Sequence, residues 1–466
     1  MADLLLQTYE VLPYPLRVVA ASLHGFRLNI MRYSTNTDQL VADAYARESW
    51  PSDQWNTWQQ ERLGQMLRYA SKEVPYYRQQ WEARRNKGER LSVELLQNWP
   101  VLSKDSLRDQ PRAFVADGVN LHSQIVEHTS GTTGKPLTLW LSNDSVRQWY
   151  ALFEARWRGW YGLSRHDRWG ILGGQMVTPY KQVKPPFWVW NAGLNQLYLS
   201  SYHLAPQNIP AYLDALQNHK LVYLLGYASS LFSLAQLAIE QNLNIPVLKA
   251  VISNAEPLYA HQREVISRAF QCPVYDTYGL SENVCAASEC LHGQLHLWPE
   301  VGVTEILDDE NDAALPVGET GRIVCTGLLN MSMPLIRYDV GDRGFLSKQT
   351  TCPCGRSLPI LGGIEGRKDD VLFTSDGRRI GRLDPVFKAD LPIREAQIIQ
   401  ESLVHVVVRY VSAPGCTLTD LDNLVNRLHQ RLGEMNIELE EVEQIPRSSN
   451  GKFRAVISKC HQSAPL

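Results

Sequence analysis

His128-Thr129-Ser130-Gly131-Thr132-Thr133-Gly134-Lys135-Pro136 is the stretch that decides how this chain is read. It offers hydroxyls, an ammonium and a run of backbone N–H groups to an anion, and Gly131 and Gly134 let the main chain approach closely because they carry no Cβ. A polyphosphate is the expected ligand, held by Thr129, Ser130, Thr132, Thr133 and Lys135. The segment is not a Walker loop: Gly131 stands three residues before Gly134, and Lys135 is followed by proline rather than serine or threonine. Alone, such a stretch also suits a polar surface turn. Motifs further along the chain decide between the two.

Four such signals occur in order: Tyr-Gly-Leu-Ser-Glu at 278–282, Arg-Tyr-Asp-Val-Gly-Asp at 337–342, Gly-Arg-Lys-Asp at 366–369 and Asn-Gly-Lys at 450–452. Around the first of these, short apolar runs (221–225, 250–252, 273–275) alternate with helical patterns (231–239, 261–270). That alternation predicts an open, largely parallel α/β sheet. Ligands bind beyond the carboxyl ends of such strands, where Ser253–Pro257 and Asp276–Glu282 would emerge. Earlier, Leu63, Met66, Leu67 and Ala70 mark a helix that stops at Pro75. After Asp370 the pattern changes to a turn at 375–377, an alternating run at 404–410, and a helix carrying Leu421, Leu424, Val425, Leu428 and Leu432 on one face. The expected architecture is α/β: a large multi-sheet N-terminal domain over 1–368 and a small, mobile α+β domain over 369–466, joined by a hinge.

Composition bounds the function. The chain has 466 residues, too many for one ordinary core; 44% are hydrophobic and 20% charged, and the net charge is -3. No positive excess exists to grip a nucleic-acid backbone, so nucleic acid is excluded as an expected partner. The N-terminal apolar runs, Leu4–Leu6 and Val18–Leu23, are interrupted by Pro13, Pro15, Arg17 and Arg27 short of a membrane-spanning length. The expectation is no transmembrane segment and no signal peptide, and an N-terminus that packs on the main domain, with a weakly amphipathic docking segment as the alternative. Eight cysteines in a chain of this kind are expected as reduced thiols in a cytoplasm.

Taken together, the five motifs resemble the adenylate-forming superfamily of acyl-CoA synthetases, and within it the phenylacetate-CoA ligase-like group. The likeness is nearest to members linked to capsular polysaccharide biosynthesis. It runs from Val74-Pro-Tyr-Tyr77 to the terminal lysine loop and includes Asn195–His203. What the resemblance implies is ATP-dependent activation of a small carboxylic acid as an acyl-adenylate, then transfer to CoA or another thiol or amine acceptor. Asn254, Ala255, Glu256 and Pro257 would lie along the adenine, with Asp276 and the Tyr278-Gly279-Leu280-Ser281 strand end beside them. The Tyr278 ring is suited to stack on adenine, and Glu282 to hold Mg²⁺, which needs only one or two protein carboxylates. Asp342 would accept from the ribose hydroxyls, with Arg367 nearby. Asp369 matches the hinge, and Lys452 the catalytic lysine that bridges carboxylate and α-phosphate. Rotation about the hinge would then withdraw Lys452 and admit the acceptor. Two rivals stay open: an adenylyltransferase that leaves AMP on a small molecule, and a non-catalytic nucleotide-binding scaffold. His128 stands where the group more commonly has an aromatic residue, and the acid-binding region does not plainly match the phenylacetate enzymes.

Two further features stand outside the nucleotide motifs. Cys352-Pro-Cys354 and the Cys290, His292, His296 cluster offer ligands for a tetrahedral structural Zn²⁺, and the expected set is Cys290, His296, Cys352 and Cys354, with His292 as substitute. Seven of the thirteen tryptophans fall at 140–190, which suits either an aromatic acid pocket or, more commonly, core. Gly226–Ser230 and His203 are further candidates for the acid site.

Overall fold

The apolar runs between residues 220 and 280 form the parallel half of a sheet, as the alternation predicts. In this computed structural model, residues 9, 11–128, 137–175, 177–179, 182–367, 372–373, 379–380, 391–433, 435–447 and 453–460 are described. Strands Val274–Gly279, Ala250–Asn254, Tyr223–Tyr227, Trp169–Gly173 and Gln196–Ser200 lie side by side and parallel, and Trp188–Asn191 closes that edge antiparallel. Leu224, Leu225, Val251 and Ile252 are buried because helices cover the sheet, which is why these strands read as continuous apolar runs. Helices Ala228–Glu240 and Ala260–Phe270 pack against each other and on the sheet.

Past Val274–Gly279 the same sheet turns antiparallel, through Ala286–Glu289, Leu295–Leu297, Ile360–Arg367, Tyr338–Leu346, Gly321–Gly327 and Gly302–Leu307, twelve strands in all. A separate hairpin, Ile125–His128 with Thr138–Leu141, pairs His128 with Thr138 and so brackets the Thr/Ser/Gly-rich stretch. Residues 129–136 themselves lie outside the described residues.

The helix marked by Met66 spans Ser52–Glu73. Pro75 does end it, yet also opens the next helix, Pro75–Asn86. Val74 between them is extended, with φ -101° and ψ 115°, the conformation a residue before proline prefers, and proline suits the first helical position.

A separate C-terminal domain has its own core, with Ile398, Val406, Val408, Leu424 and Leu428 at its centre. Its sheet runs Asn436–Glu441, His405–Ser412, Ile393–Ser402, Val456–Ser458, under helix Leu418–Leu432. Strand Ile393–Ser402 was not legible because buried Gln397 and Gln400 break its apolar pattern; Gln397 Nε2 donates to Arg454 O (2.8 Å) and Gln400 Oε1 accepts from Ser458 Oγ (2.9 Å). The boundary at 368/369, Asp369 and the turn at 375–377 lie outside the described residues. No helix among the described residues is long and apolar enough to cross a membrane.

Candidate active site

Where the parallel and antiparallel halves of the sheet meet, a cavity of about 1290 Å³ opens, lined by 254–260, 276–283, 339–343 and 361–365. Phe453–Val456 of the C-terminal domain also line it, as do Glu127 of the hairpin's first strand and Leu137, just before its second.

Asn254 ends a strand, and Ala255 takes the left-handed conformation at φ 63°, a strained one for a residue with a Cβ. The sharp turn this makes aims Glu256 between two elements. Its Oε2 accepts from Ser229 N, the start of a helix, at 2.9 Å, and its Oε1 accepts from Phe453 N at 2.7 Å. Burial pushes the Glu256 carboxyl above its ordinary range, and the Ser229 and Phe453 N–H groups oppose that. The buried Asn254 Oδ1 has no hydrogen-bond partner among the described residues. Such an orphan facing a cavity is what a ligand donor would satisfy.

The Tyr278 hydroxyl donates to Asp342 Oδ2 at 2.7 Å. Burial first, and the Asp342 charge next, hold the phenol well above its ordinary pKa. The side chains expected on adenine and ribose therefore touch each other. Strand register sets Arg367 opposite Asp342; only its backbone is described. Glu282 is buried and accepts from Tyr338 Oη at 2.7 Å, with Lys104 Nζ 3.9 Å away. Tyr338 and Lys104 were missed. Tyr338 was in plain view within Arg-Tyr-Asp-Val-Gly-Asp, and Lys104 follows the N-cap Ser103 of a short helix whose chemistry carried no sequence signal. The Arg-Tyr-Asp-Val-Gly-Asp stretch thus divides its work: Arg337 binds Trp99 O and Glu305 in the interior, Asp339, paired with Arg322, and Asp342 line the cavity, and buried Tyr338 reaches it through Glu282.

Asp276 also lines the cavity, and its backbone N–H donates to Glu289 Oε2. Burial, then the Glu289 charge, raises its carboxyl to about 7. A raised folded pKa favours the protonated fold: the stabilisation is complete below the ordinary value of 3.8 and lost as pH rises through 7. Asp276→Asn should flatten this slope and be more stable than the wild type at pH 8, by on the order of 3 kcal/mol after allowance for partial solvent access. Denaturant unfolding of the ligand-free pair at pH 5 and pH 8 reads it; equal slopes would contradict it.

One wall is aromatic. Trp149, Tyr150, Phe153 and Trp157 line the cavity from helix Asn143–Phe153 and its continuation. A Cβ on Gly279 would meet Trp157 at 3.5 Å and Trp149 at 3.8 Å, so this wall adjoins Tyr278. Trp140, Trp160 and Trp169 are core. Of the other acid-site candidates, Ser229 lines the cavity, whereas His203 is buried against Phe187 with Nδ1 2.8 Å from Ser200 Oγ. Ser281 is exposed but on the cavity rim. Lys452 lies outside the described residues; its neighbour Phe453 is the one bonded to Glu256.

Next to Gly293, Gln294 and Leu295, which line the cavity, ligand atoms of Cys290, His296, Cys352 and Cys354 lie within 4.8 Å of one another. Sγ of Cys290 and Cys352 are 3.6 Å apart, and Cys354 Sγ is 3.4 Å from His296 Nε2, separations that a tetrahedral zinc centre requires. Two tight turns build the cluster, closed by Gly293 N to Cys290 O and Gly355 N to Cys352 O, with both glycines at positive φ, 74° and 77°. The hairpin register pairs His296 with Ser288 and Ile360 and leaves His292 exposed, which selects His296 over the substitute. Its Nδ1 is 3.1 Å from Leu358 O, the arrangement that turns Nε2 toward a metal, and burial lowers its pKa toward the neutral ring.

A nucleotide-sized cleft at the junction of such a sheet, closed by a C-terminal domain, defines the adenylate-forming class. The chain belongs to the AMP-binding enzyme family, whose model matches residues 57–333; a model of the CapK C-terminal domain matches 372–459. Among curated relatives, Protein CapK of Staphylococcus aureus is 24% identical over 86% of this chain and 88% of its own length. Phenylacetate-coenzyme A ligase of Thermus thermophilus is 26% identical over 70% of this chain and 73% of its own. Among solved structures, 2-hydroxyisobutyryl-CoA ligase in the postadenylation state, in complex with R3-HIB-AMP, superposes with a TM-score of 0.70 at 23% identity, covering 89% of this chain and 91% of that one. This last likeness is one of fold.

Proposed function

We propose that the protein is an acid–thiol ligase: it activates a carboxylic acid with ATP as an acyl-adenylate, releases pyrophosphate, and passes the acyl group to CoA. The observation that carries this reading is the convergence of Asn254–Glu256, Tyr278, Glu282 and Asp342 on one cavity that also receives Phe453, the residue after Lys452. Tyr278 and Asn254 hold the adenine, and Asp342 exchanges its Tyr278 partner for ribose hydroxyls. Glu282 fits a single-carboxylate Mg²⁺ site, because it is a buried carboxylate on the cavity wall with Tyr338 fixing one oxygen. Bound there, Mg²⁺ supplies charge neutralisation for the phosphates. The 129–136 stretch and Lys135 would hold the departing pyrophosphate, and Lys452 would offset repulsion between the acid carboxylate and the α-phosphate. Domain rotation about Asp369 then frees the adenylate for the thiol. The Cys290, His296, Cys352 and Cys354 cluster fits a structural Zn²⁺, since four protein ligands complete a tetrahedral set. A part in polysaccharide biosynthesis rests only on the likeness to CapK-related chains.

The aromatic wall supports an acid with a planar or apolar body. Gly279→Val would drive methyl groups into Trp149 and Trp157, so the KM for the acid should rise about 10- to 100-fold while the KM for ATP stays within a few-fold. ATP–pyrophosphate exchange at varied acid and varied ATP measures both. A rise confined to ATP would remove the acid from this wall.

A further inference from the structure

Residues 448–452 of the C-terminal domain, which end in Lys452, are flanked by Arg447 and Phe453, and these two meet: the Arg447 guanidinium carbon lies 4.7 Å from the centre of the Phe453 ring, a cation–π contact. One strand, Ile393–Ser402, holds both ends. Glu395 and Gln397 are two residues apart and so share a face of it. Glu395 Oε1 accepts from Arg447 Nη2, and Gln397 Nε2 donates to Arg454 O at 2.8 Å. Both ends also reach the large domain. Glu395 Oε1 accepts from Ser233 Oγ of helix Ala228–Glu240 at 3.2 Å, and Phe453 N donates to Glu256 Oε1 at the cavity. Burial raises the Glu256 carboxyl, and the Arg447 charge is among the influences that oppose it, so Arg447 acts on two carboxylates, one from each domain. The Arg447 and Glu395 side chains are only 16% and 15% exposed, which spares the pair much of the screening a surface pair suffers.

We propose that Arg447 and Glu395 are positioning residues for the first half-reaction: they clamp the two ends of the 448–452 stretch and set it against Glu256, so that Lys452 is presented to the cavity. This role rests on the ligase reading above, in which Lys452 lies between the carboxylate and the α-phosphate. A bridge that only docked the domains would have no need to seize both ends of this stretch. The neighbouring pair, Arg394 Nη2 to Glu240 Oε2 at 2.6 Å, docks them without touching it. Misplacing a reacting group by about 1 Å costs up to about 100-fold in rate, so loss of the clamp falls on the step that uses Lys452. Rotation of the small domain away from the cavity would break the Ser233 and Glu256 contacts, so acyl transfer in the rotated orientation does not depend on them.

Rapid-quench kinetics on the full chain tests this, with pyrophosphate release measured using whichever aryl, fatty, hydroxy or amino acid the wild type activates, and transfer to CoA measured from the adenylate of that acid. Arg447→Ala should lower kcat for release about 10- to 100-fold with the KM for ATP within a few-fold. Glu395→Gln, which keeps the shape and removes the charge, should fall in the same direction, and transfer should stay within a few-fold in both. Added to Lys452→Ala, Arg447→Ala should cost less than about three-fold more, because a misplaced lysine and an absent one fail alike. Arg394→Ala should keep release within a few-fold. Release at the wild-type rate in Arg447→Ala, its full loss repeated on top of Lys452→Ala, or equal losses in both half-reactions would overturn the role and leave the ligase reading standing. Arg394→Ala as slow as Arg447→Ala would do the same and assign the bridge to docking alone. A wild type that releases no pyrophosphate with any acid, or Lys452→Ala as fast as the wild type, would overturn the reading on which the role rests, and the role with it.

Discussion

Lys452→Ala is expected to lower acid-dependent pyrophosphate release by about 10²- to 10³-fold, the usual consequence of removing one group that stabilises developing charge in a water-poor site. Two anions must meet when a carboxylate attacks the α-phosphorus, and the proposed role of this ammonium is to lower that repulsion in the transition state more than in the ground state. The loss should therefore fall on kcat, with the KM for ATP within a few-fold. Folding should be unaffected, because the neighbouring contact is made by the backbone: Phe453 N donates to Glu256 Oε1. Transfer from a supplied acyl-adenylate to CoA should survive within a few-fold, since that step no longer involves the carboxylate–phosphate approach. Rapid-quench measurement of the two half-reactions separates them. An equal loss in both would mean that Lys452 acts on the domain as a whole.

Cys354→Ser should have the largest effect on stability. Metal held by three thiolates and an imidazole contributes binding free energy on the order of 10 kcal/mol to the folded state, comparable to the whole stability of an ordinary domain. The cluster fastens Cys352–Leu358 to the Cys290–His296 hairpin. Beside it Arg356 Nε donates to Glu48 Oε2 at 2.8 Å, and Glu48 Oε1 accepts from Trp160 Nε1 at 2.7 Å. Losing the metal should loosen the packing of the N-terminal helices as well as the knuckles. Elemental analysis should find about one zinc per wild-type chain and less than a tenth of that in the variant, with on the order of 10 °C or more lost in Tm. His292→Ala, at an exposed position outside the cluster, should keep both. A metal-free wild type of unaltered stability would reduce the cluster to a hydrogen-bonded turn.

The parallel half of the sheet was legible because a strand buried on both faces has to be continuously apolar, and the helices between such strands keep their own period. The same logic failed for Ile393–Ser402, where Gln397 and Gln400 replace apolar contact with hydrogen bonds. For the cavity, the sequence pointed to residue types that bind nucleotides, but not to their mutual contacts. That Tyr278 and Asp342 bond each other, and that Tyr338 and Lys104 attend Glu282, depends on strand register across residues far apart in the chain. Sequence narrowed the metal cluster to two histidines, and only the hairpin register distinguished them. Tryptophan clustering had two readings, and both hold: Trp149 and Trp157 line the cavity, and Trp157 is at the same time buried in the core with Trp140, Trp160 and Trp169.

ATP and a carboxylic acid are proposed to react in this cavity. Pyrophosphate release with ATP and Mg²⁺ over a panel of aryl, fatty, hydroxy and amino acids, with CoA thioester followed by mass spectrometry, tests it most directly. Release is expected to require a particular class of acid, to equal the thioester formed when CoA is present, and to fall to background in Lys452→Ala. Pyrophosphate release that needs no acid, or a stable AMP adduct of a small molecule with no thioester, would contradict it.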